Sequence, residues 1–175
     1  MPIKSRIRTI PHFPRQGVMF RDITTLLKDQ EGFTATITSF AERYRDAPVD
    51  VVAGIEARGF ILGAAVAFAL GKGFVPIRKQ GKLPGSTFAA QYNLEYGVDS
   101  IEIHTDAIAA GQRVLLMDDL IATGGTALGA VELIERSGGV IHECCFIIDL
   151  PDLGGADKLR QRGLALHALT SFEGE

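Results

Sequence analysis

The chain has 175 residues, of which 46% are hydrophobic and 22% are charged, and its formal net charge is -3. These values are typical of a single globular domain, residues 1–175, and they exclude a disordered chain and a general nucleic-acid-binding surface. The adjacent cysteines, Cys144 and Cys145, predict neither a disulfide framework nor a metal site, which favours a reducing compartment. No apolar run is long enough to cross a bilayer and no secretory core begins the chain, so we expect a cytoplasmic protein without a membrane partner.

The first part of the chain predicts a short helix and then an ordered loop. Residues 3–10 favour a short basic helix that ends at Pro11. The proline spacing after it excludes a regular helix and favours an extended segment. Phe13 and Phe20 make this segment more apolar than a solvated tail. It either covers the core or stacks an aromatic ring on a flat ligand, and the stretch alone favours the first interpretation.

Helix and strand patterns then alternate. Apolar residues at helical spacing from Phe33 to Tyr44 predict an amphipathic helix that ends near Asp46. Residues 51–55 and 74–77 are short apolar runs typical of strands. The helix between them, residues 60–70, is apolar almost all round and should be largely buried. Strand, helix and strand with short connections predict a right-handed βαβ unit in a parallel sheet.

A basic stretch rich in glycine and proline, residues 78–87, predicts a flexible loop. Alternating apolar and polar residues from 88 onward predict a strand that carries Glu95 on its polar face. Residues 97–100 would turn the chain back into a second strand at 101–104. This region therefore predicts a hairpin.

The most informative stretch begins with an apolar run at 114–117, typical of a buried parallel strand. Asp118 and Asp119 follow it, and the small residues 122–126 then open a helix at 125–136. Glycine loops and helix N-termini present backbone N–H groups that bind phosphate. Because carboxylates repel phosphate, the two aspartates instead suit ribose hydroxyls or a hydrated Mg2+. The stretch therefore predicts a sugar phosphate site.

This run of Asp-Asp, two residues and Ala-Thr-Gly-Gly-Thr resembles the loop that binds phosphoribosyl diphosphate (PRPP) in type I phosphoribosyltransferases. Further stretches resemble the branch of the family that acts on adenine. They are the base-binding segment at 13–22, the pyrophosphate loop at 54–60, the catalytic loop at 78–84 and a strand at 92–97 that closes with it. The resemblance implies an α/β fold with a central parallel sheet flanked by helices. It also implies an N-terminal hood at about 1–30 and a flexible hairpin at 78–104.

The resemblance implies transfer of the 5-phosphoribosyl group from PRPP to N9 of adenine, which gives AMP and pyrophosphate (diphosphate). It implies Mg2+ as a cofactor held mainly by PRPP, without a direct protein ligand. The implied catalytic residues are Glu95, Arg58 and Lys82, and Glu95 either handles the adenine proton or only orients the loop. The implied contacts are Met19, Phe20, Arg21 and Ile121 for adenine; Glu56, Ala57, Arg58, Arg78, Lys79 and Lys82 for pyrophosphate; and Asp118, Asp119, Ala122, Thr123, Gly124, Gly125 and Thr126 for the ribose and 5-phosphate.

The family further implies a cis peptide between Glu56 and Ala57, and a homodimer in which Arg78 or Lys79 reaches the partner's pyrophosphate site. Two alternatives stay open: a phosphoribosyltransferase for another purine or a pyrimidine, and a regulator that binds PRPP without catalysis. A regulator predicts a DNA-binding extension and a lost catalytic loop. We expect neither here, and no nucleic-acid partner.

Overall fold

The fold is built on a sheet of seven strands with helices on both faces. The computed structural model describes residues 2–94 and 97–174. The strands are β1 (Arg8–Pro11), β2 (Met19–Asp22), β3 (Val51–Ile55), β4 (Gly73–Lys79), β5 (Thr87–Leu94), β6 (Gly97–His104), β7 (Arg113–Ile121), β8 (Val140–Asp149) and β9 (Leu166–Ser171). The helices are α1 (Thr24–Lys28), α2 (Gln30–Tyr44), α3 (Arg58–Leu70), α4 (Gly125–Arg136) and α5 (Gly155–Gln161), with 3-10 turns at Ile3–Arg6 and Pro151–Leu153.

The central sheet has the order β5-β6-β4-β3-β7-β8-β9. Strands β4, β3, β7, β8 and β9 are parallel to one another. Strands β5 and β6 form an antiparallel hairpin, and β6 pairs antiparallel with β4. All residues of Val51–Ile55 are buried, as expected for a parallel strand that is covered on both faces. The predicted α/β fold with a central parallel sheet is therefore confirmed.

Alternate residues of β7 belong to two hydrophobic cores on opposite faces of the sheet. Leu116 packs in the core that includes α4, whereas Leu115 and Met117 pack in the core that includes α2 and α3. This alternation follows from the two-residue period of a strand. Helices therefore cover both faces, and the carboxyl edge of the sheet remains available for a site.

The helices α2 and α4 agree with the sequence prediction. The observed bounds of α4, Gly125–Arg136, are the predicted ones, and α2 begins one turn earlier than predicted, at Gln30. Asp29 caps α2, because its carboxylate accepts a hydrogen bond of 2.8 Å from the Gly32 N–H. Both helices could be predicted because periodicity and capping are local signals.

The helix predicted over residues 3–10 is wrong. Only Ile3–Arg6 forms a short 3-10 turn, and Arg8–Pro11 forms an extended strand. This strand pairs antiparallel with Met19–Asp22 in a two-stranded sheet. The sheet lies within the segment of about 1–30 that was expected to form a hood, and the name hood is used below for the sheet alone. The partner strand satisfies backbone groups that would otherwise favour a helix. The pairing depends on a later segment, so local composition could not predict it.

The prediction that the helix at 60–70 is largely buried is also wrong. One face of α3 packs on the sheet, but Phe68 is 89% exposed and Ile61 is 46% exposed. A helix on a sheet buries only the stripe that faces it, so its remaining apolar side chains stay exposed. In the part of the chain that the structure describes, no helix combines the length and the apolar character needed to cross a membrane.

The predicted hairpin is present, but its turn does not lie at residues 97–100. These residues belong to β6, in which Gly97 pairs with Leu94 and Asp99 pairs with Tyr92. Strand pairing fixes this register, whereas the sequence suggested a turn from the glycine and the polar residues alone. The correction moves Asp99 from a turn onto a strand opposite Tyr92.

Candidate active site

A cavity of about 440 Å3 lies at the carboxyl edge of the sheet, where β3 and β7 end side by side. The carboxyl ends of strands are the usual ligand position in α/β sheets. Residues 55–58 and 118–127 supply most of the lining. The lining also includes Lys79, Tyr92, Leu94 and Asp99.

One side of the cavity is the loop before α4. Residues 122–126, all predicted to hold the ribose and 5-phosphate, line it. Gly124 is the N-cap of α4 and has a φ of 86°, a conformation that glycine adopts without strain. Because glycine has no side-chain oxygen, the first N–H groups of α4 have no cap from this residue. They can bind an anion, which the helix dipole also favours.

A second helix N-terminus, that of α3, reaches the same cavity. Ala57 is its N-cap and also lacks a side-chain oxygen, and Ala57 and Arg58 both line the cavity. The peptide between Glu56 and Ala57 is cis, which confirms the prediction from the family. Gly59 allows this helix to approach β7 closely, since a Cβ at this position would lie 2.9 Å from the carbonyl oxygen of Met117.

The two aspartates lie in the cavity in different environments. Asp119 is only 4% exposed, and its Oδ2 accepts a hydrogen bond from Arg58 Nε. Asp118 accepts a hydrogen bond of 2.8 Å from the Asp119 N–H. Burial, and then the negative charge of Asp119, raise the pKa of Asp118 well above its usual range. Ligand hydroxyls or a cation at this position would therefore favour the ionised form of Asp118.

The predicted cations are not all in the cavity. Lys79 lines it, and Lys79 Nζ lies 2.5 Å from Asp99 Oδ2, a contact that raises the pKa of Lys79. Arg78 Nε lies 3.3 Å from Glu56 Oε1. Arg78 and Lys82 line neither this cavity nor the groove described below. Lys82 is exposed on the loop between β4 and β5. Of these three residues, only Lys79 lines the cavity.

An open groove of about 1560 Å3 adjoins the cavity and shares Tyr92 and Leu94 with it. The hood supplies one wall through Met19, Phe20 and Arg21, all predicted adenine contacts. The Phe20 ring centroid lies 5.7 Å from Arg58 Cζ, so the hood is adjacent to the α3 N-terminus.

The guanidinium group of Arg21 is used within the protein. Its Nη1 donates a hydrogen bond of 2.7 Å to Thr9 Oγ1, and its Cζ lies 4.4 Å from the centroid of the Phe172 ring. Ile121 lines the cavity but not the groove and is only 2% exposed, whereas Leu120 lines both.

Among the lining residues that sequence reasoning did not assign to the site are Tyr92, Asp99 and Leu120. The Tyr92 hydroxyl donates to Asp99 Oδ2 at 3.1 Å, so these two residues and Lys79 form one network. The correct hairpin register would have revealed Asp99 as the cross-strand neighbour of Tyr92. Leu120 continues the strand that carries the two aspartates, and its position in the motif was the available signal.

Glu95, the predicted proton handler, lies outside the residues that the structure describes. Across residues 2–94 and 97–174, no group of three His, Cys, Asp or Glu side chains could hold a metal ion. Carboxylate oxygens in the cavity come from Asp118 and Asp119, together with Glu56 and Asp99 at its edge.

Comparison with protein families agrees with this geometry. The family model described as phosphoribosyl transferase domain matches residues 23–165. The chain therefore belongs to the phosphoribosyl transferase family.

Its similar relatives are adenine phosphoribosyltransferases. The chain is 61% identical over 173 residues to the adenine phosphoribosyltransferase of Nitrosomonas europaea, with 99% of each chain covered. The enzyme structure from Thermoanaerobacter pseudethanolicus has a TM-score of 0.93 at 46% identity and covers 97% of this chain and 98% of its own. That from Saccharomyces cerevisiae, complexed with D-2,5-dideoxy-2,5-imino-altritol 1,6-bisphosphate and adenine, has a TM-score of 0.90 at 39% identity and covers 95% and 96%.

Proposed function

We propose that this chain transfers the 5-phosphoribosyl group from PRPP to N9 of adenine, giving AMP and pyrophosphate. One observation carries the proposal: the N-termini of α3 and α4 meet in a single cavity that also holds Asp118 and Asp119. PRPP carries a phosphate at one end of its ribose and a pyrophosphate at the other. Two anion sites together with acceptors for ribose hydroxyls match these groups. The names of the relatives support adenine as the base.

Within this proposal, the loop 122–126 binds the 5-phosphate and the α3 N-terminus binds the pyrophosphate. Asp118 and Asp119 accept hydrogen bonds from the ribose hydroxyls. The opposite arrangement fits less well, because two cationic residues lie beside the α3 end of the cavity. Arg58 begins α3, and the Lys79 N–H donates to Glu56 Oε1 just before it. Pyrophosphate gains negative charge as it leaves, so preplaced cations belong at that end.

Mg2+ is the cofactor that fits the donors present. A magnesium ion keeps several waters and usually takes one or two carboxylates together with substrate phosphates. The two aspartates beside the anion sites suit an ion that is held mainly by PRPP. When bound, the ion would neutralise part of the charge on the pyrophosphate. Asp118 and Asp119 would contact its water shell.

The chain's own residues then promote bond exchange at C1 of the ribose. C1 gains oxocarbenium character as pyrophosphate departs, as in glycoside cleavage. Arg58 stabilises the departing charge, and its hydrogen bond to Asp119 keeps the guanidinium in position. Glu95 is the proposed proton handler for adenine, and Lys82 is the proposed cation of a loop that closes over the site and excludes water.

Adenine is proposed to lie in the groove beside the cavity. Phe20 would stack on the ring, and Phe13, whose ring centroid lies 5.1 Å from that of Phe20, supports this position edge-on. Leu120 is a better candidate than Ile121 for the opposite side, because Leu120 lines the groove. Main-chain groups at Arg21 would read the amino edge of the base.

We also propose a homodimer. Of the two residues predicted to reach a partner's site, Lys79 lines the cavity of its own chain and Arg78 does not. Arg78 is therefore the better candidate for a contact across the dimer. The exposed face of α3 around Phe68 is the proposed contact surface, because an exposed large apolar side chain gains most from burial.

A cytoplasmic location completes the proposal. Cys144 and Cys145 are free and fully buried, so neither is used for a disulfide bond. Burial raises the pKa of Cys144 to about 12, which keeps it as an unreactive thiol. Free thiols of this kind are usual in a reducing compartment.

The proposed function is tested by a base panel assayed with PRPP and Mg2+. We expect adenine to give AMP and an equal amount of pyrophosphate, and hypoxanthine, guanine and uracil to give little product. Replacing PRPP by ribose 5-phosphate is the control, because it lacks the leaving group. Faster conversion of another base would assign the alternative substrate. PRPP binding without conversion of any base would favour the regulator.

A further inference from the structure

One later segment of the chain donates hydrogen bonds to three successive carbonyl groups, that of the last residue of β7 and those of the first two residues of the loop 122–126. The carbonyl oxygen of Ile121 accepts a hydrogen bond of 3.0 Å from the Leu150 N–H. That of Ala122 accepts one of 2.9 Å from the Gly155 N–H. That of Thr123 accepts one of 2.9 Å from Lys158 Nζ. We call residues 150–158 the brace.

The brace fits the loop so closely that only glycine is accommodated at its centre. A Cβ at Gly155 would contact the Ala122 carbonyl oxygen and would lie 2.7 Å from the Gly124 nitrogen. In the other direction, a Cβ at Gly124 would lie 3.0 Å from Gly155 Cα. Real Cβ atoms almost never approach other atoms as closely as the first of these contacts. The two glycines therefore allow backbone to lie directly against backbone.

This contact determines which way the loop's N–H groups point. In a trans peptide, the carbonyl of one residue and the N–H of the next point in opposite directions. Because the brace holds the carbonyls of residues 121–123 outward, the N–H groups of residues 122–124 are directed away from the brace. Residues 122–124 also line the cavity. The loop therefore presents donors, and not carbonyl oxygens, to an anion.

We propose that Gly155 and Lys158 are positioning residues for the 5-phosphate end of the site. They act through the loop 122–124 and have no role at the pyrophosphate end, which is formed by residues 56–58 on another helix. This inference rests on the proposed function, since it requires that the loop bind a phosphate. It assigns a role to a part of the chain that the phosphate-binding motif does not include.

The test compares ligands that occupy the two ends separately. Titration calorimetry measures binding of ribose 5-phosphate, AMP and pyrophosphate, the last with Mg2+, to the wild-type protein and its variants. Lys158→Met keeps most of the length of the side chain but removes the donor to the Thr123 carbonyl oxygen. We expect ribose 5-phosphate and AMP to bind about five- to tenfold more weakly, which is the effect of one hydrogen bond. Pyrophosphate binding should be unchanged.

Steady-state kinetics give a second readout. Lys158→Met should raise KM for PRPP with kcat nearly unchanged, because the 5-phosphate is held equally in the ground and transition states. Lys158→Arg retains a donor and should restore part of the affinity. Arg160→Met is the control for charge, since Arg160 lies on the same helix and pairs with Asp157. It should bind all three ligands as the wild type does.

Gly155→Ala should weaken ribose 5-phosphate binding by more than about tenfold, since the added methyl group displaces the loop. Gly73→Ala is its control, because neither Gly73 nor Gly155 has a positive φ and a Cβ at Gly73 would have no atom closer than 3.9 Å. If Gly155→Ala does not fold, Lys158→Met decides the question. If Lys158→Met weakens binding of pyrophosphate and ribose 5-phosphate equally, or leaves both normal, the proposed role of the brace is wrong. The proposed function would not be affected by either result. Failure of the wild type to bind ribose 5-phosphate and AMP would overturn the proposed function as well.

Discussion

Thr126 lies in the first turn of α4 and lines the cavity. Its hydroxyl is proposed to donate to the 5-phosphate. This contact would exist before, during and after bond exchange. Glu95 has a different proposed task, which exists only while the bond between adenine and ribose forms. The two residues therefore allow ligand binding and chemistry to be separated by substitution.

Thr126→Ala should raise KM for PRPP with little change in kcat, because it removes a hydrogen bond to a charged group. The loss of such a bond costs about 1.5–3 kcal/mol. Thr126→Ser retains the hydroxyl and should stay close to the wild type. Glu95→Ala should lower kcat strongly while PRPP binding stays nearly unchanged. Steady-state kinetics with adenine, beside equilibrium titration with PRPP and Mg2+, measure both effects. A near-normal kcat for Glu95→Ala, with chemistry rate-limiting, would leave Glu95 as a loop-orienting residue.

Sequence reasoning predicted those site residues that are neighbours in the chain. Asp118, Asp119 and the loop 122–126 form one continuous motif, so the residue types and their spacing indicated a sugar phosphate site. Asp99 could not be placed, because its position depends on the hairpin register. Gly155 and Lys158 could not be placed either, because they lie in α5, well after the loop in the chain. They contact the loop only in the folded structure.

At the scale of elements, the hood is a small sheet that needs an anchor, because two strands alone are only marginally stable in water. Asp22, at the end of β2, supplies the anchor. Its carboxylate accepts hydrogen bonds from Arg8 Nε at 3.0 Å, and from the N–H and hydroxyl of Thr24 at 2.9 Å each. The Arg8 guanidinium, followed by the Thr24 N–H, lowers the pKa of Asp22 to about 2.

Asp22→Asn should therefore destabilise the protein at pH 7 by about 1–2 kcal/mol, discounted because Arg8 is half exposed. The pKa of Asp22 is lower in the folded state, so its contribution is complete above the unfolded value of 3.8 and is lost as the pH falls towards 2. Urea unfolding at several pH values measures the difference between the two proteins. We expect roughly half of the difference to be gone by pH 3.

Arg8→Met removes the other partner of this ion pair, and its free energy of unfolding is measured in the same way. In a double-mutant cycle, the two substitutions together should cost less than the sum of their separate effects, because they remove one shared interaction. Additive effects, or a difference between wild type and Asp22→Asn that does not change between pH 7 and pH 3, would show that Asp22 does not anchor the hood through its charge.

At the scale of the whole molecule, α3 connects the site with the proposed dimer. Its N-terminus carries Arg58 in the cavity, and its outer face exposes Ile61 and Phe68. Phe68→Glu places a charge on the proposed contact surface and should give a monomer in sedimentation equilibrium. Val140→Glu is the control, because Val140 is 50% exposed at the start of β8, away from α3. It should sediment as the wild type does. A wild-type protein that is an active monomer at assay concentration would refute the dimer.

The dimer also predicts that two inactive variants can restore each other. Arg78→Ala should remove the cation that reaches the partner's site, and Asp119→Asn should damage the site of its own chain. In a mixed dimer, the site of the Arg78→Ala chain would keep its own Asp119 and receive an intact Arg78 from the partner. Random exchange of subunits would then restore about a quarter of the wild-type activity, since half of the dimers are mixed and each has one complete site. The measurement is activity after the two purified variants are mixed and allowed to exchange, with each variant alone as the control. If Arg78 acts within its own chain, every site in the mixture lacks one of the two residues. The mixture would then be no more active than its components, and Arg78 would have to be assigned to the cavity of its own chain.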